Sequence, residues 1–540
     1  MGQNHFTWRS RFLVPSSTHW RLTRIARVQV IHPAPVCIVV DRGVDVRVGL
    51  LSAAKGTQSS AEVDRPGWCN MSERNRMRCL ALWLCLFPLT TVGADKPNVI
   101  LVMADDQGWG DTGYNGHPIL KTPHLDAMAK EAFVFNRFYA AAPVCSPTRG
   151  GVLTGRHPFR IKITNHGRYM RPQESTIAEE LKAAGYVTGM FGKWHVGSAQ
   201  AASPVCPGSS GFDEWCIGLN FFDNDPYLSR NGKIEQIKGR GTDITIDETI
   251  AFLRKHKPDE KPVFAVVWFP SPHDPHREKP DPANMYAGHQ RAGYWGEISL
   301  LDAAFGRLRR EIDTLGMKDN TILWYSSDNG GLDKNTSGGR NRKGSIYEGG
   351  LRVPSMVQWP AKIEPGSSNV PGNSCDILPT VLSMTDVNRR GKFPLDGTDL
   401  SNIIAGRSSR RPPMGFWHGF QGGQSTWSDR ILKAILTAQQ TGQPNPHVAR
   451  LKKDIEQFPQ FPTDILPGHA ALLDWPWKLH RIENEQGVRY ELYDLSSSPF
   501  EETDALADPA NVKRLERMKT QLQAWQVSVI GSLNGDDYTD

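Results

Sequence analysis

Two pairs of oxygen-bearing side chains stand directly behind apolar runs. Asp105 and Asp106 follow Asn98–Ala104 (NVILVMA), and Asp328 with Asn329 follow the run at 321–326 (TILWYS). Open α/β sheets gather ligands at the carboxyl ends of their strands, so the two pairs are expected to converge there. Three carboxylates and an amide at one point repel one another unless a cation neutralises them. Ligands that are all oxygen favour a hard ion, calcium or magnesium. One Asp-Asp pair is an ordinary helix cap; two pairs behind two strands point to a metal.

A second constellation is Cys145-Ser146-Pro147-Thr148-Arg149, continuing Gly150-Gly151-Val152-Leu153-Thr154-Gly155-Arg156. A lone cysteine is more often a buried small hydrophobe than a reactive group. This one sits among Pro, Ser and Arg in a polar turn leading into a helix, where burial is less natural. The run resembles the sulfatase signature, Cys-x-Pro-x-Arg followed by Leu-Thr-Gly-Arg, at every fixed position. The resemblance covers residues 96–530. Gly192-Lys193-Trp194-His195, Ser271-Pro272-His273-Asp274-Pro275, Lys343-Gly344 ahead of the segment 348–354, and the segment 491–495 are each similar to a family motif, in family order.

The resemblance implies a sulfuric ester hydrolase of the arylsulfatase type on an alkaline-phosphatase-like scaffold. It implies that a maturation enzyme oxidises Cys145 to formylglycine, whose hydrate attacks sulfur. Asp105, Asp106, Asp328 and Asn329 would hold one Ca2+ together with residue 145. Arg149 would stabilise the nucleophile, and Lys193 and Lys343 would pair with sulfate oxygens. His273, aided by Lys343, would protonate the leaving oxygen, and His195 would take the proton of the second hydroxyl. His117 and His276 have no such support and read as surface residues.

One departure concerns Arg340, Asn341 and Arg342, which stand where the family commonly has a small residue before the second lysine. Extra positive charge there would favour a polyanionic substrate, unless both arginines point to solvent. Asn220 is a candidate for a further sulfate contact. Trp215, Phe221, Phe222, Trp295, Trp417 and Trp427 either line a sugar cleft or pack the core. The substrate class this favours is a sulfated carbohydrate. Two other readings compete: a phosphate or phosphonate ester hydrolase on the same scaffold, and an inactive protein that binds sulfated glycans.

The elements that must position these groups alternate along the chain. Unbroken apolar runs at Asn98–Ala104, 263–269 and 321–326 suit parallel strands covered on both faces. Thr176 and Glu179 form a capping box for a helix that Gly185 closes, and a longer amphipathic helix is expected over 298–315. The fold class is therefore α/β, a large, mostly parallel mixed sheet sandwiched by helices, catalytic over 95–400. A smaller C-terminal α+β subdomain is expected over 401–540. Within it, residues 405–470 show little periodicity, 477–480 and 490–493 read as a hairpin, and a helix follows around 512–525.

The chain has 540 residues and a formal charge of +6. The first 94 residues hold 12 of the 63 Lys and Arg and 5 of the 57 Asp and Glu, which leaves the body at −1. Net charge thus gives no support to a nucleic-acid partner. Arg74, Arg76 and Arg78, an apolar stretch from Leu80 to Val92, then Gly93 and Ala94 read as a signal peptide over 71–94. That stretch is too short to span a bilayer. An exported product, periplasmic, extracellular or lysosomal, is expected, with residues 1–70 an extension or a start placed too far upstream. In an oxidising compartment Cys206 and Cys216 could form a local disulfide.

Overall fold

The computed structural model describes residues 36–40, 46–50, 96–257 and 261–539. The strands Val36–Val40 and Val46–Leu50 pair antiparallel. The expected signal peptide at 71–94 lies outside the described residues. Everything below concerns the unit that runs from Val92 to Asp540.

Its main sheet has ten strands: β1 Asn98–Ala104, β2 Phe133–Phe135, β3 Val187–Lys193, β4 Glu214–Gly218, β5 Tyr227–Arg230, β6 Lys233–Gln236, β7 Val263–Trp268, β8 Thr321–Ser327, β9 Met356–Gln358 and β10 Gly366–Ser368. In space they lie in the order β10-β2-β9-β8-β1-β7-β3-β4-β5-β6. The central five, β8-β1-β7-β3-β4, are parallel, and antiparallel pairs flank them at both ends. The parallel strands carry apolar residues at both side-chain phases because the two faces bury separate cores. Val99, Leu101 and Met103 of β1 join one cluster with Phe264 and Trp324, while Ile100, Val102 and Ala104 join the other with Val267 and Leu323.

Helices cover both faces: α1 Pro123–Glu131, α2 Cys145–Thr154, α3 Ile177–Ala183, α4 Gly241–His256, α5 Ala292–Thr314, α6 Ile377–Met384 and α7 Ser428–Thr441. The capping box at Thr176 and Glu179 forms as expected, with both reciprocal hydrogen bonds. Helix α5 starts six residues earlier than its apolar stripe indicates. Gly293 and Gly296 weaken the helical signal there, yet Gly296 is needed because any Cβ would strike the Pro282 carbonyl oxygen.

The C-terminal region forms a four-stranded antiparallel sheet, β11 Met414–His418, β12 Gly468–Asp474, β13 Trp477–Asn484 and β14 Gly487–Asp494, in that spatial order. Helix α8, Val512–Asn534, packs Met518, Leu522 and Val529 against it. The expected hairpin is present as β13 and β14. Strands β11 and β12 and helix α7 emerge from the stretch that shows little periodicity. Cys206 and Cys216 correct the disulfide expectation: both are buried free thiols. Cys206 Sγ approaches Ser209 Oγ at 3.5 Å, and Cys216 packs in an apolar cluster with Phe222 and Leu228.

Candidate active site

The carboxyl ends of β1 and β8 lie side by side, since Ala104 is in register with Ser327. That register brings Asp105, Asp106, Asp328 and Asn329 together, all fully buried. Asp106 Oδ1 accepts from Asn329 Nδ2 at 2.8 Å, and Asp328 Oδ1 from the Asp106 amide at 3.1 Å. Asp106 adopts φ 76°, a left-handed conformation uncommon outside glycine that re-aims its side chain as the strand ends.

Helix α2 delivers the next two groups. Cys145 is its first residue, where unpaired amides and the helix dipole favour negative charge. Arg149 lies four residues on, hence on the same helical face. The Cys145 thiol and carboxylate oxygens of Asp105 and Asp328 lie within 4.8 Å of one another. Arg149 donates to Asp328 Oδ2 through Nε at 3.1 Å and Nη2 at 2.6 Å, and through Nη1 to the Lys193 carbonyl at 2.9 Å.

Lys193 ends β3, two strands from β1, and its Nζ is 2.6 Å from Asp105 Oδ2. Lys343 arrives on the loop after β8 and sits 2.6 Å from Asp106 Oδ2. His273, on the loop after β7, has Nε2 3.8 Å from Asp106 Oδ2 and stacks on Phe221 with centroids 4.3 Å apart. His195 is buried at φ 58°, and neither ring nitrogen has a partner. All the expected site residues therefore converge.

The electrostatics follow from burial and from three carboxylates facing three cations. Burial, then repulsion by Asp328, raises the Asp105 carboxyl well above the usual range. Burial would raise Asp106 too, but Lys343, His273 and Lys193 overcome it and hold that carboxyl low. Burial is also the main cause that pushes the Cys145 thiol up, against the pull of Lys193 and Lys343. His273 is pushed down to about 4 by burial and by Lys343 and Lys193, against the pull of Asp106.

These residues fit a hard divalent cation. Asp105 Oδ1 and Asn329 Oδ1 are buried oxygens with no hydrogen-bond donor, and such atoms are costly unless paired. The donor set is oxygen throughout apart from residue 145. Asp105, Asp106 and Asp328 are already matched by Arg149, Lys193 and Lys343, so a divalent ion leaves an excess of two positive charges. With such an ion bound, that excess would favour an anion in the pocket.

Above the cluster opens a cavity of about 430 Å³ lined by Cys145, His195, His273 and Lys343 and by groups from other elements. Among the latter are Asn220 and Phe221 after β4, His166 from the loop after α2, and Ser425, Thr426 and Trp427 ahead of α7. His166, Ser425 and Thr426 were not legible in the sequence; no motif marks them, and only tertiary hydrogen bonds bring them in. One such bond runs from the Gln424 amide to the His166 carbonyl at 2.9 Å.

Of the aromatic candidates, Phe221 and Trp427 line the cavity, while Trp215, Phe222, Trp295 and Trp417 are buried. Arg340 turns away from it: its guanidinium covers the Tyr347 ring at 3.9 Å and pairs with Glu491 at 3.0 Å. It faces another cleft, of about 870 Å³, with Trp109, Lys334 and Glu502. Arg342 donates to the Leu332 carbonyl at 2.9 Å. His117 and His276 are half-buried rather than surface residues. His117 accepts from the Leu120 amide at 2.8 Å, and His276 Nε2 lies 3.0 Å from the Pro272 carbonyl.

Comparison with known proteins adds an independent finding. Residues 97–387 match the family model Sulfatase. The chain is 31% identical over 342 residues to the ulvan-active sulfatase of Formosa agariphila, covering 57% of this chain and 65% of that protein. It thus spans just under two thirds of that relative's length. It is 29% identical over 388 residues to the N-acetylgalactosamine-6-sulfatase of Canis lupus familiaris, covering 63% and 72%. The solved structure of Ps i-CgsB with k-i-k-neocarrahexaose shares the fold, with a TM-score of 0.66 at 23% identity over 80% of this chain and 93% of that one.

Proposed function

The chain belongs to the sulfatase family, and from that premise we propose that it releases inorganic sulfate from an organic sulfate monoester, a sulfated carbohydrate. The observation that carries this reading is the triad of carboxylates at Asp105, Asp106 and Asp328, matched by three cations, with Cys145 within 4.8 Å of two of them, Asp105 and Asp328.

Oxidation of Cys145 to formylglycine supplies, once hydrated, two hydroxyls on one carbon, of which one attacks sulfur and the other lets the residue be regenerated. Asp105, Asp106, Asp328, Asn329 and residue 145 would hold Ca2+, which would supply positive charge that acidifies the nucleophile. Arg149, held against Asp328, lies one turn along α2 from the nucleophilic residue and favours its anionic form. The Lys193 and Lys343 ammoniums, beside Asp105 and Asp106 at the cavity floor, offset the charge that builds up on the sulfate oxygens. His273 gives a proton to the departing alcohol oxygen; burial first, then Lys343 and Lys193, holds the ring low here, and an anion bound beside it favours the protonated form. His195, with both nitrogens free, takes the proton of the second hydroxyl.

The names of the two relatives, one ulvan-active and the other acting on an N-acetylgalactosamine sulfate, support a carbohydrate ester. Export through the leader at 71–94, to periplasm or medium, and maturation by a formylglycine-generating enzyme complete the proposal. Mass spectrometry of the peptide containing residue 145, from protein made with the maturation enzyme, tests it together with sulfate release. An aldehyde and measurable release are expected. A thiol in fully matured material, or no release from any ester, overturns it.

A further inference from the structure

The cavity beside Cys145 is walled on one side by Ser425, Thr426 and Trp427, which come from the C-terminal part of the chain. Three hydrogen bonds fix this wall. The Gln424 amide donates to the His166 carbonyl at 2.9 Å, Asn220 Nδ2 to the Thr426 carbonyl at 2.9 Å, and the Leu219 amide to Ser428 Oγ at 2.9 Å. Between these fixed points stands Trp427, 59% exposed, whereas Trp194, Trp268, Trp324 and Trp417 are fully buried. Leaving most of an indole in water forgoes the burial that large apolar side chains usually gain. A single exposed aromatic is unremarkable by itself. This one stands on a held backbone at the mouth of a cavity whose floor carries the reactive cysteine.

Asn220 adds a second, independent constraint. Its Nδ2 is committed to the Thr426 carbonyl, which fixes the amide orientation, because the flipped amide would set two oxygens against each other. Its Oδ1 is buried and has no donor. An acceptor in that position repels a sulfate oxygen and calls for an O–H or N–H group. The second N–H of the same amide remains free for a sulfate oxygen, so the donor side of Asn220 stays compatible with the contact that the sequence offered while its acceptor side calls for a hydroxyl. The charge of the lining is the third constraint. Among the described lining residues, Lys343 is the one Lys or Arg, and it is taken up at the reacting end. Among the described lining residues no second Lys or Arg stands opposite a carboxylate or a second sulfate on the alcohol half.

Resting on the sulfatase reading, we propose that the alcohol half of the substrate is an uncharged sugar ring bearing a single sulfate, stacked on Trp427 and donating a hydroxyl to Asn220 Oδ1. A pyranose has an axial C–H face for the indole and hydroxyl donors at its edge. A flat aryl or steroid alcohol has the first without the second, and a uronate or disulfated sugar brings a charge that the wall leaves unpaired.

The test uses matured full-length protein and a panel of galactose and glucose sulfated at each hydroxyl in turn, beside 4-nitrophenyl sulfate and the same sugars with a second sulfate. At least one singly sulfated sugar should exceed the other classes roughly tenfold in kcat/KM. Trp427→Ala and Asn220→Ala should each raise its KM by roughly tenfold, while the constant for inhibition by inorganic sulfate stays as in the parent. A disturbed fold would weaken sulfate binding too, so the pair of constants separates contact from damage. The proposal falls if the doubly charged or aryl esters are preferred. It also falls if Trp427→Ala leaves KM unchanged, or moves KM and the sulfate constant together. Release from 4-nitrophenyl sulfate with none from sugars sinks this inference alone, and release from no ester at all sinks the sulfatase reading with it.

Discussion

Lys343 Nζ lies 2.6 Å from Asp106 Oδ2 at the floor of the cavity, so one group proposed to bind sulfate is paired with a group proposed to bind metal. The pairing is a competition between two cations for one carboxylate. A divalent ion held by Asp105 and Asp106 would compete with Lys343 for the Asp106 carboxylate and would leave the lysine free to meet an anion. Calcium added to chelator-treated protein should raise its Tm, and calorimetric titration should show one site. At a hundredfold excess over Kd the stabilisation is about 2.7 kcal/mol. Asp105→Ala and Asp328→Ala should each abolish the increment. A calcium response that survives both substitutions would place the ion elsewhere, whatever the activity.

Lys478 ties the C-terminal sheet to the loop that carries Lys343. Its buried ammonium is 2.9 Å from Glu348 and 2.8 Å from Glu501 and donates to the Ile346 carbonyl at 3.1 Å. Glu501 in turn accepts from the Glu348 amide at 2.6 Å. Lys478→Met removes the cation and leaves Glu501 with His480, a ring that burial and Lys478 hold neutral. Breaking a buried pair from one side costs about 3–5 kcal/mol. Urea unfolding should show that loss, and Lys478→Met/Glu501→Gln should recover part of it. Equal stability of parent and single variant would mean that the network is not closed in solution.

Much of this was legible because chemistry and periodicity coincide. The apolar runs of β1, β7 and β8 mark strands buried on both faces, and the acids directly behind two of them mark the strand ends. The motif around Cys145 fixes the helical spacing to Arg149. The cavity wall was legible only in part. Asn220 and Trp427 stand out as candidates, but their meeting rests on hydrogen bonds from Asn220 to the Thr426 carbonyl and from Gln424 to the His166 carbonyl. These bonds join residues more than 200 apart in the chain, and nothing in the local pattern announces them. Strand β12 reads as unremarkable because His469, Ala470 and Ala471 lack the branched side chains that signal a strand, and pairing with β11 and β13 decides the matter. The disulfide expectation failed because closeness in sequence says nothing of which way a thiol points.

Gly192 sets the position of Lys193. It has φ +102°, and an added Cβ would collide with the Trp268 carbonyl oxygen of the neighbouring strand. Gly192→Ala therefore meets strain and a clash at once. A residue forced into such backbone costs about 1–3 kcal/mol, and the displaced strand end carries Lys193 away from Asp105. Thermal unfolding should report the destabilisation, and kcat should fall further than the loss of folded protein explains. A variant with parental Tm and kcat would show that β3 can shift without moving the lysine.

Glu297 on α5 is buried with Oε1 unpartnered, and burial, then repulsion from Glu278 and Asp223, pushes its carboxyl up to about 9. Glu278 itself is raised to about 7, chiefly by burial, against hydrogen bonds from Thr242. A carboxyl whose folded pKa exceeds its unfolded value keeps its proton in the native state while the unfolded chain loses it. Stability is then fully present below about 4.5 and falls as pH rises toward 9. Glu297→Gln keeps the shape and removes the titration. It should raise Tm at pH 8 by an amount on the order of 1 kcal/mol or more in stability, with the gain shrinking to nothing at pH 4.5. A gain that is the same at both pH values would mean that packing, and not the proton, accounts for it. No gain at pH 8 would mean that the carboxylate finds a partner when it ionises.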